Sequence, residues 1–334
     1  MTSFFTSLWQ EIRWVVRVSR PRFWLYLFGP FLIGIVSTLR FETPSSMTFT
    51  NRLRTLATLG HILFIEIPPA AWRLLVEQPF IFLILLGVIL LTFGYFLLPA
   101  NLLIYGVNDL SDADTDAHNP KKDTYETRLL PSQRKRLIIY IILCQVPWLI
   151  LSVWLLIVQF WYSLPAVLLF YLFILLGVFY SLPPIRAKAR PFLDSASNIF
   201  YAFPGLMIYV FYPRPFPWIA FLAASCWCIA MHAYSAVPDI RADTRAGLQT
   251  IATKLGAYKT LILCSVLYGA SSVLACFTVE SMWLRYIFLL LGLGYVILVH
   301  ISLTRIDDLM PVYKRFPLVN TLVGMILFFA LLLG

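Results

Sequence analysis

The hydrophobic positions of this chain form long, nearly uninterrupted runs separated by short polar segments. A helix that crosses a bilayer needs about 20 mainly apolar residues. The runs predict nine transmembrane helices, at residues 23–40, 79–107, 138–157, 162–181, 191–211, 217–235, 260–279, 283–304 and 317–333. We therefore expect an all-α, polytopic membrane protein with one transmembrane domain over residues 1–334. Residues 1–22 place aromatic and aliphatic side chains at mixed helical spacing, which predicts an interfacial N-terminal segment.

The distribution of charge predicts how these helices are oriented. Only 13% of the residues are charged, against about 25% in a soluble domain. In the nine-helix arrangement, 20 of the 26 lysines and arginines fall on the same side as the N-terminus. Because cytoplasmic loops are enriched in basic residues, we expect the N-terminus in the cytoplasm and the C-terminus outside, in the cell (inner) membrane. The net charge of +10 is explained by these loops, so we expect membrane lipids and no nucleic acid as partners.

Two acidic clusters lie at the cytoplasmic ends of predicted helices. The first contains Asn108, Asp109, Asp112 and Asp116, and the second contains Asp239 and Asp243. Helical spacing places members of each cluster one turn apart, on one face. Carboxylates held this close at a membrane edge need a cation to neutralise them. Oxygen-only ligands suit magnesium, which also takes phosphate oxygens, so we expect metal ions that bind a diphosphate.

Basic and aromatic residues complete this chemistry on the same side of the membrane. The basic residues are Lys121, Lys122, Arg128, Arg134, Arg186, Lys188, Arg190, Arg241, Arg245 and Lys254. They can neutralise a diphosphate leaving group as its negative charge develops. The aromatic candidates for shielding a carbocation are Tyr105, Tyr180, Tyr201 and Tyr234. Together these features indicate metal-assisted ionisation of an allylic isoprenyl diphosphate and capture of the carbocation by a lipophilic acceptor.

Other polar residues within the apolar runs give weaker signals. Asp194 lies just inside the fifth predicted span and is a functional candidate as an intramembrane acid. Capping of that helix and pairing with Arg190 are equally open for it. The histidines have no partner at metal-ligand spacing; they are His61, His118, His232 and His300.

At its two acidic motifs the chain resembles the UbiA superfamily of intramembrane prenyltransferases. Residues 108–116 match the pattern NDxxDxxxD, and Asp239-x-x-x-Asp243 matches the second motif. The resemblance implies a helical bundle around a central cavity and two magnesium ions. By carry-over, Asn108, Asp112, Asp116, Asp239 and Asp243 would bind metal, Asp109 would assist catalysis, and Arg128 with Lys188 or Arg186 would hold the diphosphate. Tyr180 opens the loop that carries these last two residues.

Residues 180–205 resemble the lycopene elongases in particular. Those enzymes add five-carbon dimethylallyl units to lycopene on the way to C50 carotenoids. The resemblance implies dimethylallyl diphosphate as donor, a carotenoid as acceptor, and C45 and C50 products. The carbocation left on the acceptor would then lose a proton to a base, or water would add to it. The sequence does not identify that base and does not show whether water is added.

Two other functions remain open at this point. The chain could transfer a prenyl group to an aromatic acceptor of quinone, haem or chlorophyll synthesis, because the motifs do not distinguish acceptors. It could instead be a cation transporter or a lipid-binding protein. Transport sites usually lie near the bilayer midplane, whereas these acids lie at helix ends.

Overall fold

The computed structural model describes residues 2–42, 93–112, 128–211 and 215–333, and within these ranges it is helical without any β-strand. The α-helices are α1 (Thr2–Val18), α2 (Leu25–Glu42), α3 (Pro99–Asp112), α4 (Arg134–Val158), α5 (Phe160–Ser181), α6 (Leu193–Ala196), α7 (Phe203–Val210), α8 (Trp218–Ala236), α9 (Ile240–Arg245), α10 (Ile251–Cys276), α11 (Met282–Thr304), α12 (Met310–Tyr313) and α13 (Phe316–Leu333). Short 3-10 turns at Pro21–Phe23, Pro131–Gln133, Ala187–Ala189, Ser197–Ala202, Val237–Asp239 and Ile306–Asp308 join several of them.

Six helical segments of the described residues are long and apolar enough to cross a membrane. They contain α4, α5, α8, α10, α11 and α13, and so correspond to six of the nine predicted spans. Helix α2 coincides with the first predicted span. Only the end of the second predicted span is described, and it forms part of α3. An integral membrane protein is therefore confirmed, while the count of nine stays a prediction.

The fifth predicted span is a broken helix rather than a continuous one. It consists of α6, a 3-10 turn and α7. Two side chains donate hydrogen bonds to the backbone carbonyl oxygen of Asp194: Asn198 Nδ2 at 2.6 Å and Ser197 Oγ at 3.3 Å. They thus compete with backbone N–H groups for this acceptor. Pro204 then lies in the first turn of α7, where its missing N–H costs little. The mean hydropathy of the segment predicts a span but not this break.

Helices α2 and α7 cross in backbone contact. A methyl group at Gly205 would lie 2.5 Å from the Pro30 carbonyl oxygen, and one at Gly34 would collide with the Gly205 backbone. Small residues at helix crossings allow the close packing on which membrane helices depend. This crossing fixes the broken segment against the first span.

The N-terminal helix α1 packs onto the helical bundle. Val15 and Val18 are buried. Glu11 Oε1 accepts a bond of 2.8 Å from Arg136 Nη1, and the Arg136 guanidinium lies over the Trp14 ring. The predicted interfacial segment is thus a helix docked against the start of α4. Arg136 contributes to this docking through both contacts.

Candidate active site

The last turns of α3 present the first acidic motif to the loop that follows α5. Asn108 and Asp112 lie one turn apart on α3, as their spacing predicts. Lys188 Nζ contacts both of them, at 3.2 Å from Asn108 Oδ1 and 2.6 Å from Asp112 Oδ1. It also donates to Ser111 Oγ at 3.0 Å. The motif and the predicted diphosphate-binding loop therefore form one site.

Local structure directs Lys188 inward. Arg186 adopts a left-handed conformation with φ of 44° before the 3-10 turn Ala187–Ala189. This turn leaves Lys188 only 8% exposed. Ser181, at the end of α5, bonds back to the motif through Oγ to Asn108 Oδ1 at 3.2 Å. A lysine buried to this extent needs a charged partner, and Asp112 provides it.

Asp109 lies on a different face of α3 from these contacts. Its Oδ1 forms an ion pair of 2.7 Å with Arg20 Nη2, and the carboxylate side chain is only 3% exposed. The Arg20 guanidinium also lies 4.8 Å from the centre of the Tyr105 ring. The structure thus places Asp109 in a contact that joins the segment after α1 to α3.

The second motif follows α8, where Pro238 interrupts the helix. Because proline lacks an N–H donor, α8 ends at Ala236 and a 3-10 turn carries Asp239. Asp243 lies in the first turn of α9, and its Oδ2 accepts a bond of 3.5 Å from Thr250 Oγ1. The same Thr250 side chain caps α10 by accepting from the Thr253 N–H. The second motif is therefore positioned by the start of α10.

Tyr180 lies in the last turn of α5, one position before Ser181, whose Oγ donates to Asn108 Oδ1 of the first motif. Its hydroxyl oxygen lies 3.5 Å from His232 Nε2 on α8. The motifs are 123 positions apart along the chain if measured from Asp116 to Asp239, so only the fold brings their neighbourhoods together.

Asp194 caps a helix, but not its own. The side chain is fully buried, and Oδ2 accepts a bond of 2.9 Å from the Ile251 N–H at the start of α10. Arg190, the partner considered from the sequence, donates instead to the Pro184 carbonyl oxygen at 3.1 Å. Helix α10 bends at Gly256, whose φ of +77° suits glycine. Asp194 therefore anchors the turn that precedes this bend.

Comparisons with known proteins assign the family. A model of the UbiA prenyltransferase family matches residues 66–312. The chain belongs to this family. It is also 34% identical to the lycopene elongase/hydratase of Halobacterium salinarum, over 94% of this chain and 95% of that protein. This UbiA prenyltransferase is therefore an enzyme of the membrane that resembles lycopene elongases, as the motifs predicted.

Solved structures agree with the fold of this UbiA prenyltransferase. A UbiA homologue from Archaeoglobus fulgidus bound to GPP and Mg²⁺ has a TM-score of 0.63 at 18% identity, covering 95% of this chain and 99% of that chain. The structure of an Archaeoglobus fulgidus UbiA homologue bound to DMAPP and Mg²⁺ has a TM-score of 0.62 at 18% identity, covering 95% of this chain and 98% of that chain. At this identity the likeness establishes the shared fold.

The donor set of the UbiA motifs suits a hard divalent cation. Asn108 Oδ1 and Asp112 Oδ1 already converge on one cation, the Lys188 ammonium group. Oxygen ligands of this kind are those that Mg²⁺ prefers. Among the residues with described positions, no three His, Cys, Asp or Glu side chains come close enough to hold a metal ion. Asp116, the third acid of the first motif, lies outside the described residues.

The remaining predicted site residues differ in their surroundings. Arg186 is half-buried in the loop of Lys188, whereas Arg128, Arg241 and Lys254 are exposed. Arg241 lies on α9 and Lys254 in the first turn of α10, beside the second motif. Lys121 and Lys122 lie outside the described residues. Their roles in binding diphosphate stay predictions.

An aromatic wall adjoins the first motif. Tyr105 lies one turn before Asp109, and its hydroxyl oxygen is 3.4 Å from that of Tyr201. The Tyr105 ring packs against Phe23, with ring centroids 5.7 Å apart. Tyr26 packs against Tyr201 at 6.3 Å. Two of the predicted aromatic candidates thus meet next to the site. Tyr234 does not join them: it is fully buried and its hydroxyl lies 2.8 Å from Ser302 Oγ.

Sequence reasoning missed two residues of this region, Arg20 and His232. Arg20 was visible as part of a Ser-Arg-Pro sequence before the first span, without an indication of its partner. His232 lies in an apolar run, and its neighbours Tyr180 and Asp194 come from other helices. The available signal was a polar residue in the apolar run of α8, seven positions before Asp239 of the second motif.

Proposed function

We propose that this UbiA prenyltransferase transfers the dimethylallyl group of dimethylallyl diphosphate to lycopene or a related carotenoid. One addition gives a C45 product, a second gives C50, and each releases diphosphate. The observation that carries the choice of acceptor is the 34% identity, over nearly the full length of both chains, to a protein named lycopene elongase/hydratase. The site geometry supports the chemistry, because a basic loop and an acidic motif meet at Asp112.

Two Mg²⁺ ions are expected as cofactors, held by Asn108, Asp112 and Asp116 and by Asp239 and Asp243. When bound, they would neutralise the diphosphate. Lys188 is positioned to bind a diphosphate oxygen, since its ammonium group already lies among the oxygen ligands. Lys121, Lys122, Arg128, Arg186, Arg241 and Lys254 would add positive charge around the leaving group. Positive charge placed where negative charge develops lowers the barrier to ionisation.

The aromatic wall would receive the isoprenyl chain. Ring faces stabilise cations. Tyr105 lies one turn before Asp109 on α3, and its hydroxyl oxygen is 3.4 Å from that of Tyr201. Arg20, held by Asp109, fixes the position of the Tyr105 ring. Asp109 thus assists catalysis by positioning, in this proposal, rather than by binding metal.

The proposed orientation places this site on the cytoplasmic side. Both motifs and the Lys188 loop lie at the same end of their helices, which is the side that carries most lysines and arginines. With the N-terminus inside and the C-terminus outside, the enzyme would take its water-soluble diphosphate from the cytoplasm of the cell. The carotenoid would enter from the bilayer.

The test is an assay in membranes with Mg²⁺, dimethylallyl diphosphate and lycopene, with the carotenoids measured by mass. We expect products heavier by one and two five-carbon units, and their loss after chelation of the metal. Parallel reactions contain a longer prenyl diphosphate with 4-hydroxybenzoate or a naphthoate. Prenylation of the aromatic acid, without any carotenoid product, would contradict the acceptor and leave the family assignment unchanged.

A further inference from the structure

The interior of the bundle below the first motif is filled by aromatic rings. The aromatic wall comes first, and it is formed by Phe23, Tyr26, Tyr105 and Tyr201. Behind it lie four more rings, called the inner rings below: Phe31, Phe96, Phe173 and Phe200. They come from α2, from the segment before α3, from α5 and from the 3-10 turn Ser197–Ala202. Four separate segments thus converge on one group of rings.

The wall and the inner rings form one continuous series of contacts. The Tyr201 ring stacks on Phe200 with centroids 4.5 Å apart and 27° between the ring planes. The Phe200 ring lies 5.7 Å from Phe173, centroid to centroid. Phe96 lies 6.1 Å from Phe173 and 5.2 Å from Phe31. These are the centroid distances of favourable aromatic pairs. Displacing one ring therefore requires its neighbours to move.

Exposure falls from the wall to the inner rings. Phe23, Tyr26 and Tyr105 are partly exposed, whereas Tyr201 is 7% exposed. The inner rings are between 0% and 4% exposed. Protein interiors packed in this way contain few voids larger than a water molecule. The space that is open to a ligand beside the first motif therefore ends at Tyr201.

Helix geometry places the wall close to the acidic motif. Tyr105, Asn108 and Asp112 lie at positions i, i+3 and i+7 of α3, so they share one face of the helix. Tyr105 lies three residues, or about 4.5 Å, deeper than Asn108. Phe173 lies eight residues, or about 12 Å, deeper than Ser181, which is the α5 residue that bonds to Asn108. A chain that leaves a diphosphate at Asn108 thus meets the wall after about one helical turn.

We propose that the aromatic wall and the inner rings set the length of the isoprenyl donor, admitting one isoprene unit and excluding longer chains. The inference rests on the proposed function, which places the diphosphate at the first motif. The longest chain of a dimethylallyl group contains three C–C bonds and spans about 4 Å, which matches the depth of Tyr105. A geranyl group is at least about twice as long. Its second isoprene unit would have to enter the space that Tyr201 and the inner rings occupy.

Tyr201 is the central residue of this arrangement, because it joins the wall to the inner rings. Its hydroxyl oxygen lies 3.4 Å from that of Tyr105, and its ring centroid lies 6.3 Å from that of Tyr26. Together with the stacking on Phe200, these contacts hold the Tyr201 ring in place. Well-packed interiors resist the insertion of extra methylene groups. Tyr201 is therefore a specificity-determining residue, which acts by its size and position.

The test measures how the full-length protein with Mg²⁺ binds two unreactive donors in detergent, by isothermal titration calorimetry. These donors are the S-thiolodiphosphate analogues of dimethylallyl and geranyl diphosphate. Tyr201→Leu and Tyr105→Leu each remove a ring from the wall, and Tyr105 is partly exposed, so its loss disturbs packing less. Tyr201→Phe keeps the ring. Phe288→Leu is the matched control, because it removes a buried ring that packs in a separate cluster with Val36 and Leu284.

We expect the wild type to bind the dimethylallyl analogue at least about 100-fold more tightly than the geranyl analogue, the discrimination that a closed apolar pocket provides. An open pocket would show the opposite order, because additional apolar surface strengthens binding. Tyr201→Leu and Tyr105→Leu should each reduce the preference at least about 10-fold, through tighter binding of the geranyl analogue. Tyr201→Phe and Phe288→Leu should keep the preference of the wild type.

Wild-type protein that binds the geranyl analogue as tightly as the dimethylallyl analogue would overturn the inference, whatever the acceptor is. The same conclusion holds if Tyr201→Leu and Tyr105→Leu bind the dimethylallyl analogue and keep the wild-type preference. An equal loss of preference in Phe288→Leu would assign the effect to general loosening of the bundle and also overturn it.

The proposed function can fail separately, since binding of the analogues needs no acceptor. A donor preference as expected, without any carotenoid product in the membrane assay, would contradict the acceptor and support the length limit. Carotenoid products together with equal binding of both analogues would reject the length limit alone. A wild type that binds neither analogue would contradict the proposed donor and the inference with it.

Discussion

The two ends of the helical bundle are built from different residues. At the end where α5 finishes, Lys188, Asn108 and Asp112 form a compact polar cluster. At the end where α5 begins, Trp161 is 82% exposed, and α8 and α10 present Trp218 and Phe277 to the surroundings. A helix of this length separates the two ends by about 30 Å. The described residues of the acidic motifs and their partner Lys188 therefore lie at one end, while exposed aromatic side chains at the other end suit a membrane interface.

The difference shows how one bundle meets two demands. Apolar helices need lipid along their sides, and aromatic residues anchor them at the interface. Charged side chains are costly within the bilayer, so they collect where helices end and pair with each other. At the end of the bundle that carries the acidic motifs, called the site end below, Asp109 pairs with Arg20 and Asp112 pairs with Lys188. Substitutions at the two ends should accordingly affect different properties.

Loss of a carboxylate at the site end should have the largest effect on activity. Asp112→Asn and Asp239→Asn keep the size of the side chain but remove the charge expected to hold a metal ion. We expect prenyl transfer to fall at least about 100-fold, with protein levels in the membrane unchanged. Asp307→Asn, at an exposed acid, is the matched control. Activity near that of the wild type in either variant would remove that residue from the metal site.

The ion pairs at the site end should differ in strength according to their burial. Arg20→Ala removes the ion pair that Arg20 makes with the buried Asp109 carboxylate and should lower the free energy of unfolding by about 3 kcal/mol or more. Arg136→Ala breaks the ion pair with Glu11, in which the Arg136 side chain is 43% exposed and the Glu11 side chain 29% exposed. This loss should cost about 1 kcal/mol of stability or less. Thermal unfolding in detergent measures both. Equal losses would show that burial does not set their contributions.

A smaller effect is expected where α2 crosses α7, between the two ends. Gly205→Leu forces a side chain against the Pro30 backbone and should destabilise the protein by about 1–3 kcal/mol. Gly294→Ala adds a methyl group on α11 where no atom lies within 4 Å, and should change stability by less than about 1 kcal/mol. The melting temperatures of the two variants, compared in one detergent, decide this. Similar values would contradict a tight crossing.

The smallest effect is expected at the aromatic end. Trp161→Ala removes an exposed ring far from the acidic motifs, so the rate of prenyl transfer should stay within about twofold of the wild type. The assay of purified enzyme in bilayers checks this. A large loss of activity in correctly inserted protein would show that the two ends are coupled.

The sequence predicted the membrane helices well because lipid imposes a length and a composition on each span. It also predicted that Asn108 and Asp112 share a face, since helical spacing is local. The break in the fifth span escaped prediction because Ser197 and Asn198 act through single hydrogen bonds, to which averaged hydropathy is insensitive.

Contacts across long stretches of chain were not predictable in the same way. Arg20 and Asp109 are 89 positions apart, and Lys188 and Asp112 are 76 apart. No sequence period relates such pairs, and only helix packing brings them together. The basic loop was expected at the diphosphate, yet its inward turn at Arg186 depends on a left-handed backbone that the sequence did not indicate.

The most direct measurement is an experimental structure of the enzyme in lipid with Mg²⁺ and an unreactive analogue of dimethylallyl diphosphate. We expect metal density at Asn108 and Asp112 and at Asp239 and Asp243, with the diphosphate between them and Lys188 beside it. The prenyl chain should point toward Tyr105 and Tyr201. Diphosphate bound elsewhere, or metal at only unrelated residues, would contradict an active site assembled from the two acidic motifs.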